Sequence, residues 1–130
     1  MRKILFTIAV AILTSCGGSK KETDPCQGVT AITATSNPAT GAVVPAAPGP
    51  NFDLAVNVTS SLGNGATIEV IAKPEAGGNA FFTETRDAAL FNNFSITNTP
   101  ANTSVIVEIA ITSKACASVK WTGSYRYSRK

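Results

Sequence analysis

Hydrophobic and polar positions alternate with a period of two along most of the chain beyond residue 28, which is the signature of half-buried β-strands. Residues 52–59 show it most cleanly: Phe52, Leu54, Val56 and Val58 fall on one face, and Asp53, Asn57 and Thr59 on the other. Residues 66–73 put Ile68, Val70 and Ala72 together, and Pro74 stops the run. Residues 104–113 turn Val105, Val107, Ile109 and Ile111 inward and Glu108 and Thr112 outward. Residues 118–127 place Val119, Trp121, Tyr125 and Tyr127 on one face. Shorter strands are predicted at 29–36, which is β-branched, at 80–86, with polar Thr83, Glu84 and Thr85, and at 90–96, where Phe94 and Ile96 share a face. Turns rich in Gly, Asn and Pro separate them, and 37–50, with four Pro, reads as a connection holding at most a short edge segment at 42–44.

Seven strands with turns every eight to twelve residues, and no helical period after the N-terminal segment, predict a single all-β domain. One polar and one apolar face per strand predicts a seven-stranded antiparallel β-sandwich, two sheets packed face to face. The pattern over 29–127 resembles the immunoglobulin-like and fibronectin type III-like sandwiches. Thr99-Pro100-Ala101-Asn102 precedes an alternating strand, as at one corner of fibronectin-type domains. Three features depart from the family pattern. Val105 stands where those domains carry a sixth-strand Tyr, the lone Trp is on the last strand, and the cysteines are not on the second and sixth strands.

The N-terminus breaks the β pattern. Arg2 and Lys3 precede residues 4–13 (ILFTIAVAIL), apolar except for Thr7. Ten residues at helical rise cover about 15 Å, half a bilayer's hydrocarbon core, so the segment reads as an export signal and not a membrane span. It ends in Leu13-Thr14-Ser15-Cys16 followed by Gly17-Gly18-Ser19, which resembles the lipobox of bacterial lipoproteins. That resemblance implies cleavage before Cys16, diacylglycerol on its sulfur and a further acyl group, such as palmitate, on its new amine. Gly17, where the enteric retention rule places Asp, favours the outer membrane by the same resemblance. The expected organisation is a cleaved signal peptide at 1–15, a lipidated tether at 16–25 and a sandwich at 26–130. Losing Arg2 and Lys3 lowers the net charge from +3, 11 basic against 8 acidic residues, to +1. This leaves no basis for a nucleic-acid partner.

Lipidation of Cys16 leaves Cys26 and Cys116, and export implies an oxidising compartment, so one intramolecular disulfide is expected. In a seven-strand sandwich the start of the first strand and the turn between strands six and seven lie at one end, which brings these two cysteines together. The same geometry puts the connection 37–50, the 99–102 turn and the tail 127–130 at the opposite end, away from the membrane.

Chemistry is sparse. The chain has no histidine, which excludes histidine-dependent nucleophilic triads, and no CxxC spacing, so neither a metal site nor a cofactor is expected. Asp53, Glu69, Glu84 and Glu108 fall on outward strand positions, as solvated charges or as an acid pair of the glycosidase kind. Trp121, Tyr125 and Tyr127 share a face that suits either a sugar-stacking platform or the sandwich core, and Val119 beside them favours core. Phe81 and Phe82 place one ring on each face, and Arg126, Arg129 and Lys130 form a solvated basic end. The expected function is a non-enzymatic binding or assembly module, lipid-anchored in the cell envelope, with a protein or glycan partner. The alternatives are a carbohydrate-binding or adhesion module and an accessory domain of a hydrolytic system.

Overall fold

The computed structural model describes residues 26–130; the signal peptide, the lipobox cysteine and the tether expected at 1–25 lie outside the described residues. Seven strands follow in order: β1 (Ala34–Asn37), β2 (Phe52–Val58), β3 (Ala66–Pro74), β4 (Phe82–Asp87), β5 (Phe91–Ile96), β6 (Thr103–Ser113) and β7 (Lys120–Arg129). They form two antiparallel sheets, a three-stranded one in the order β1-β2-β5 and a four-stranded one in the order β4-β3-β6-β7. Among the described residues no helix is long and apolar enough to cross a membrane.

The period-two pattern sets the core. Leu54, Val56 and Val58 of β2 and Phe94 and Ile96 of β5 face inward from one sheet. Ile68, Val70 and Ala72 of β3 and Val105, Val107, Ile109 and Ile111 of β6 meet them from the other. Each large aliphatic side chain buried in this way contributes about 1.5–3 kcal/mol of transfer free energy. Phe81 and Phe82 are both half-buried against this core, so neither ring is thrown fully into solvent.

Two elements differ from the sequence pattern. The expected first strand at 29–36 pairs only from Ala34 onward. Before it the backbone finds loop partners: Val29 N donates to Cys26 O, and Thr33 N donates to Ser60 Oγ. Ile32 still reaches the core. The β-branched run therefore reports burial, while the disulfide and the β2–β3 turn dictate the local path. The connection 37–50 does not form one end of the sandwich. It runs along the free edge of β7 in parallel bridges, Val43 with Arg126 and Ala47 with Arg129. Gly41 N, Val44 N and Ala47 N donate to the carbonyls of Ser124, Arg126 and Ser128. The expected short edge segment is there, but as a cover pinned to β7 and not as an adaptable loop.

The other edges are also closed to added strands. β1 is four residues long. β4 turns the charged Glu84 and Arg86 toward the inter-sheet side, alternating with Thr83 and Thr85. Arg86 stacks its guanidinium 4.0 Å from the Phe94 ring centroid and donates to Asn93 O, so β5 has lost an edge carbonyl.

Candidate functional site

Cys26 and Cys116 are bonded, with Cα atoms 4.9 Å apart. Cys116 lies in the β6–β7 turn, whose shape is held by Ser113 Oγ accepting from Ala115 N and Cys116 N. Ser118 Oγ sits 3.0 Å from Cys116 Sγ and 3.4 Å from Cys26 Sγ, so the bridge is embedded in a hydrogen-bonded turn. The bridge marks one end of the sandwich, and the Thr103–Arg129 pair marks the other. Cys16 lies outside the described residues.

The three aromatic positions do not make a stacking platform. Tyr125 and Tyr127 are 2% and 1% exposed, and they offer no ring face to a ligand. Tyr127 packs on Phe52 with ring centroids 4.2 Å apart, and its hydroxyl meets Thr99 Oγ1 at 2.8 Å in the interior. Arg129 donates to Thr99 O beside it. Burial pushes both phenols above the ordinary tyrosine range; the neighbouring Tyr127 adds to this at Tyr125, and the Thr99 hydrogen bond opposes it at Tyr127. Trp121 is half-buried against the core. Its ring fills the space over Gly123, where a Cβ would stand 2.6 Å from both the indole and Thr40 Oγ1. That glycine is needed for close approach, because it lets the connection lie against β7. The structural reason for the core outcome is that the inward positions of β7 look across the interior toward the opposite sheet, where Tyr127 meets Phe52 of β2, and the connection seals the side.

The carboxylates are divided between the two faces. Glu69 and Glu108 line one groove on the outside of the four-stranded sheet, with a volume of about 420 Å³. They are diagonal and not opposite, since Glu69 pairs with Ala110 and Glu108 with Ile71. Lys73 Nζ approaches Glu108 at 3.2 Å, and Thr85 Oγ1 donates to Glu69 at 3.2 Å. Glu108's side chain is 47% exposed. A general acid needs a desolvated carboxyl, which a solvent-washed residue paired with lysine does not offer. Asp53 is exposed on the opposite sheet, and Glu84 is on the β4 edge. Among the described residues no group of three or more metal-ligating side chains converges.

The surface that pattern reasoning passed over is the outer face of the three-stranded sheet. Thr35, Asn57 and Phe91 stand in one cross-strand row, and Asn37, Ala55 and Asn93 in the next. Asp53 and Ser95 form a third. Phe91 is 75% exposed. The small Ala55 leaves a shallow depression of about 500 Å³ lined by Asn37, Pro38, Asp53, Asn93 and Ser95. The signal was present in residues 90–96: once Phe94 and Ile96 are inward, Phe91, Asn93 and Ser95 must be outward, and Asn92 inward. Asn92 is 3% exposed and uses its amide locally, donating to Val56 O and Ala89 O and accepting from Ala89 N. It fixes the crossing from β4 to β5. No protein-family model matches the chain, and comparison with curated proteins finds no match.

Proposed function

We propose that this chain is an exported, lipid-anchored envelope protein whose immunoglobulin-like, fibronectin type III-like sandwich serves as a non-enzymatic binding module. The observation that carries the reading is the Cys26–Cys116 bridge. A structural disulfide needs an oxidising compartment, which supports export. It also uses two of the three cysteines, and the third is Cys16 at the end of the lipobox-like Leu13-Thr14-Ser15-Cys16. Acylation at Cys16 with two or three chains would hold the protein firmly, at about 0.8 kcal/mol per buried methylene. The nine residues 17–25 would allow at most ~30 Å between lipid and sandwich. The bridged end then lies toward the membrane. The strand order supports the fibronectin type III-like reading, because β4 pairs with β3 and does not join the β1-β2-β5 sheet as in constant-type immunoglobulin domains. The closed edges point to recognition by side chains on a sheet face and not by strand addition. Cell fractionation of Cys16→Ser tests the anchor. The variant should leave the membrane fraction while the parent protein stays in it; a variant that resists carbonate washing overturns the reading.

A further inference from the structure

We propose that the outer face of the β1-β2-β5 sheet binds an uncharged oligosaccharide. This gives the binding module above its ligand class and rests on that reading, but its chemistry is argued from the three strands alone.

Each sugar hydroxyl both donates and accepts, so a surface that recognises sugars needs both functions side by side. The side-chain amides of Asn37, Asn57 and Asn93 supply them, and the Asp53 carboxylate adds two acceptors. None of these four side chains is engaged by another described residue, in contrast to Asn92 next door, which makes three local hydrogen bonds. Asn37 and Asn93 flank Ala55 in register, so two amides rise on either side of a methyl floor. That is the depression already described. Phe91 stands opposite Asn57 and two residues along β5 from Asn93, about 7 Å away. Its exposed ring offers an apolar plate for the C–H face of one sugar while the next ring lies in the depression. A single exposed aromatic is unremarkable by itself. Here it adjoins a row of unengaged amides on the same sheet face.

The charge of the face selects the class. It carries one carboxylate and no Lys or Arg, so phosphates, nucleic acids and acidic glycans are repelled. The nearest cation, Arg86, is held by the Phe94 ring and Asn93 O at the edge. A protein partner would need a larger apolar centre than the Phe91 ring, the Ala55 methyl and Pro38 supply.

The test is titration of the purified full-length chain with neutral hexasaccharides (gluco-, xylo- and manno-configured) and with acidic oligogalacturonate. At least one neutral hexasaccharide should bind. Phe91→Ala should weaken it about tenfold, equivalent to ~1.4 kcal/mol, and Asn57→Ala or Asn93→Ala by a comparable factor. Thr122→Ala on the opposite sheet should leave it unchanged. Because Phe91 lies outside the core, its variant should melt with the parent, and titration should move the side-chain amide resonances of Asn57 and Asn93. The proposal is overturned if no neutral hexasaccharide binds, if the acidic one is preferred, or if Phe91→Ala binds as the parent does. Loss of acyl mass with an intact titration would sink the anchor alone; an intact anchor without titration would sink this proposal alone.

Discussion

Replacing Tyr127 by phenylalanine removes one oxygen from the interior and strands another. The Tyr127 hydroxyl and Thr99 Oγ1 lie 2.8 Å apart, and their residues are each 1% exposed. Without its partner, the Thr99 hydroxyl keeps its full desolvation penalty, about 1–3 kcal/mol. For a domain of this size ~2 kcal/mol corresponds to a melting temperature roughly 8–16 °C lower. Removing both oxygens with Thr99→Val and Tyr127→Phe should recover most of the loss, because the remaining groups are apolar and of similar shape. Tyr125 supplies the internal control. Its hydroxyl is buried and has no partner among the described residues, so Tyr125→Phe should be neutral or stabilising. Urea unfolding of the parent, Thr99→Val, Tyr127→Phe and the double variant gives the coupling energy as a double-mutant cycle. The pH dependence provides a second readout. Both phenols titrate higher in the folded state, because burial disfavours their ionised forms, so the fold loses stability as pH rises above about 10, the unfolded tyrosine value, and the loss ends once the folded phenols ionise. Each Phe variant should flatten that alkaline loss. Equal destabilisation by Tyr125→Phe and Tyr127→Phe, with no rescue by Thr99→Val, would refute the reasoning.

Reduction of the Cys26–Cys116 bridge should destabilise the domain by up to about 4–5 kcal/mol, since it closes a loop with a sequence separation of 90 residues; an unchanged melting temperature in reductant would contradict this. Gly123→Ala should cost about 1–3 kcal/mol through overpacking against Thr40 and Trp121. It should also raise hydrogen exchange at the Gly41 and Val44 amides, and unchanged protection there would show that the connection does not depend on this contact.

The central strands were the most legible part of the chain. β3 and β6 alternate buried and less buried positions along most of their nine and eleven residues, despite apolar Ile71, Ile106 and Ala110 on the outer face, and their register follows from keeping one face dry. The approach of Cys26 to Cys116 was legible too, because it follows from strand count and connectivity alone. Period two gives the face of a residue but not its depth, so Tyr125 and Tyr127 suited a platform as well as the core, with only Val119 beside them favouring core, until β7 was seen to be sealed by the connection. That seal was not legible, because hydrogen bonds from Gly41, Val44 and Ala47 to β7 are set by chain path and not by side-chain pattern. The run at 29–36 failed for a related reason: its apolar content serves Ile32, while Thr33 bonds the β2–β3 turn. The amide face on β1, β2 and β5 was hidden in plain alternation, since asparagines on outward positions look like ordinary surface until strand pairing sets Asn37 and Asn93 on either side of Ala55 with Asn57 in the next row.

Intact mass spectrometry of the protein extracted from the membranes of its own cells tests the account most directly. The account predicts a chain beginning at Cys16, heavier by diacylglycerol and by a further acyl group where the amine is modified, and lighter by two hydrogens for the Cys26–Cys116 bond. A chain that retains residues 1–15, or one that carries no acyl mass on Cys16, would contradict it.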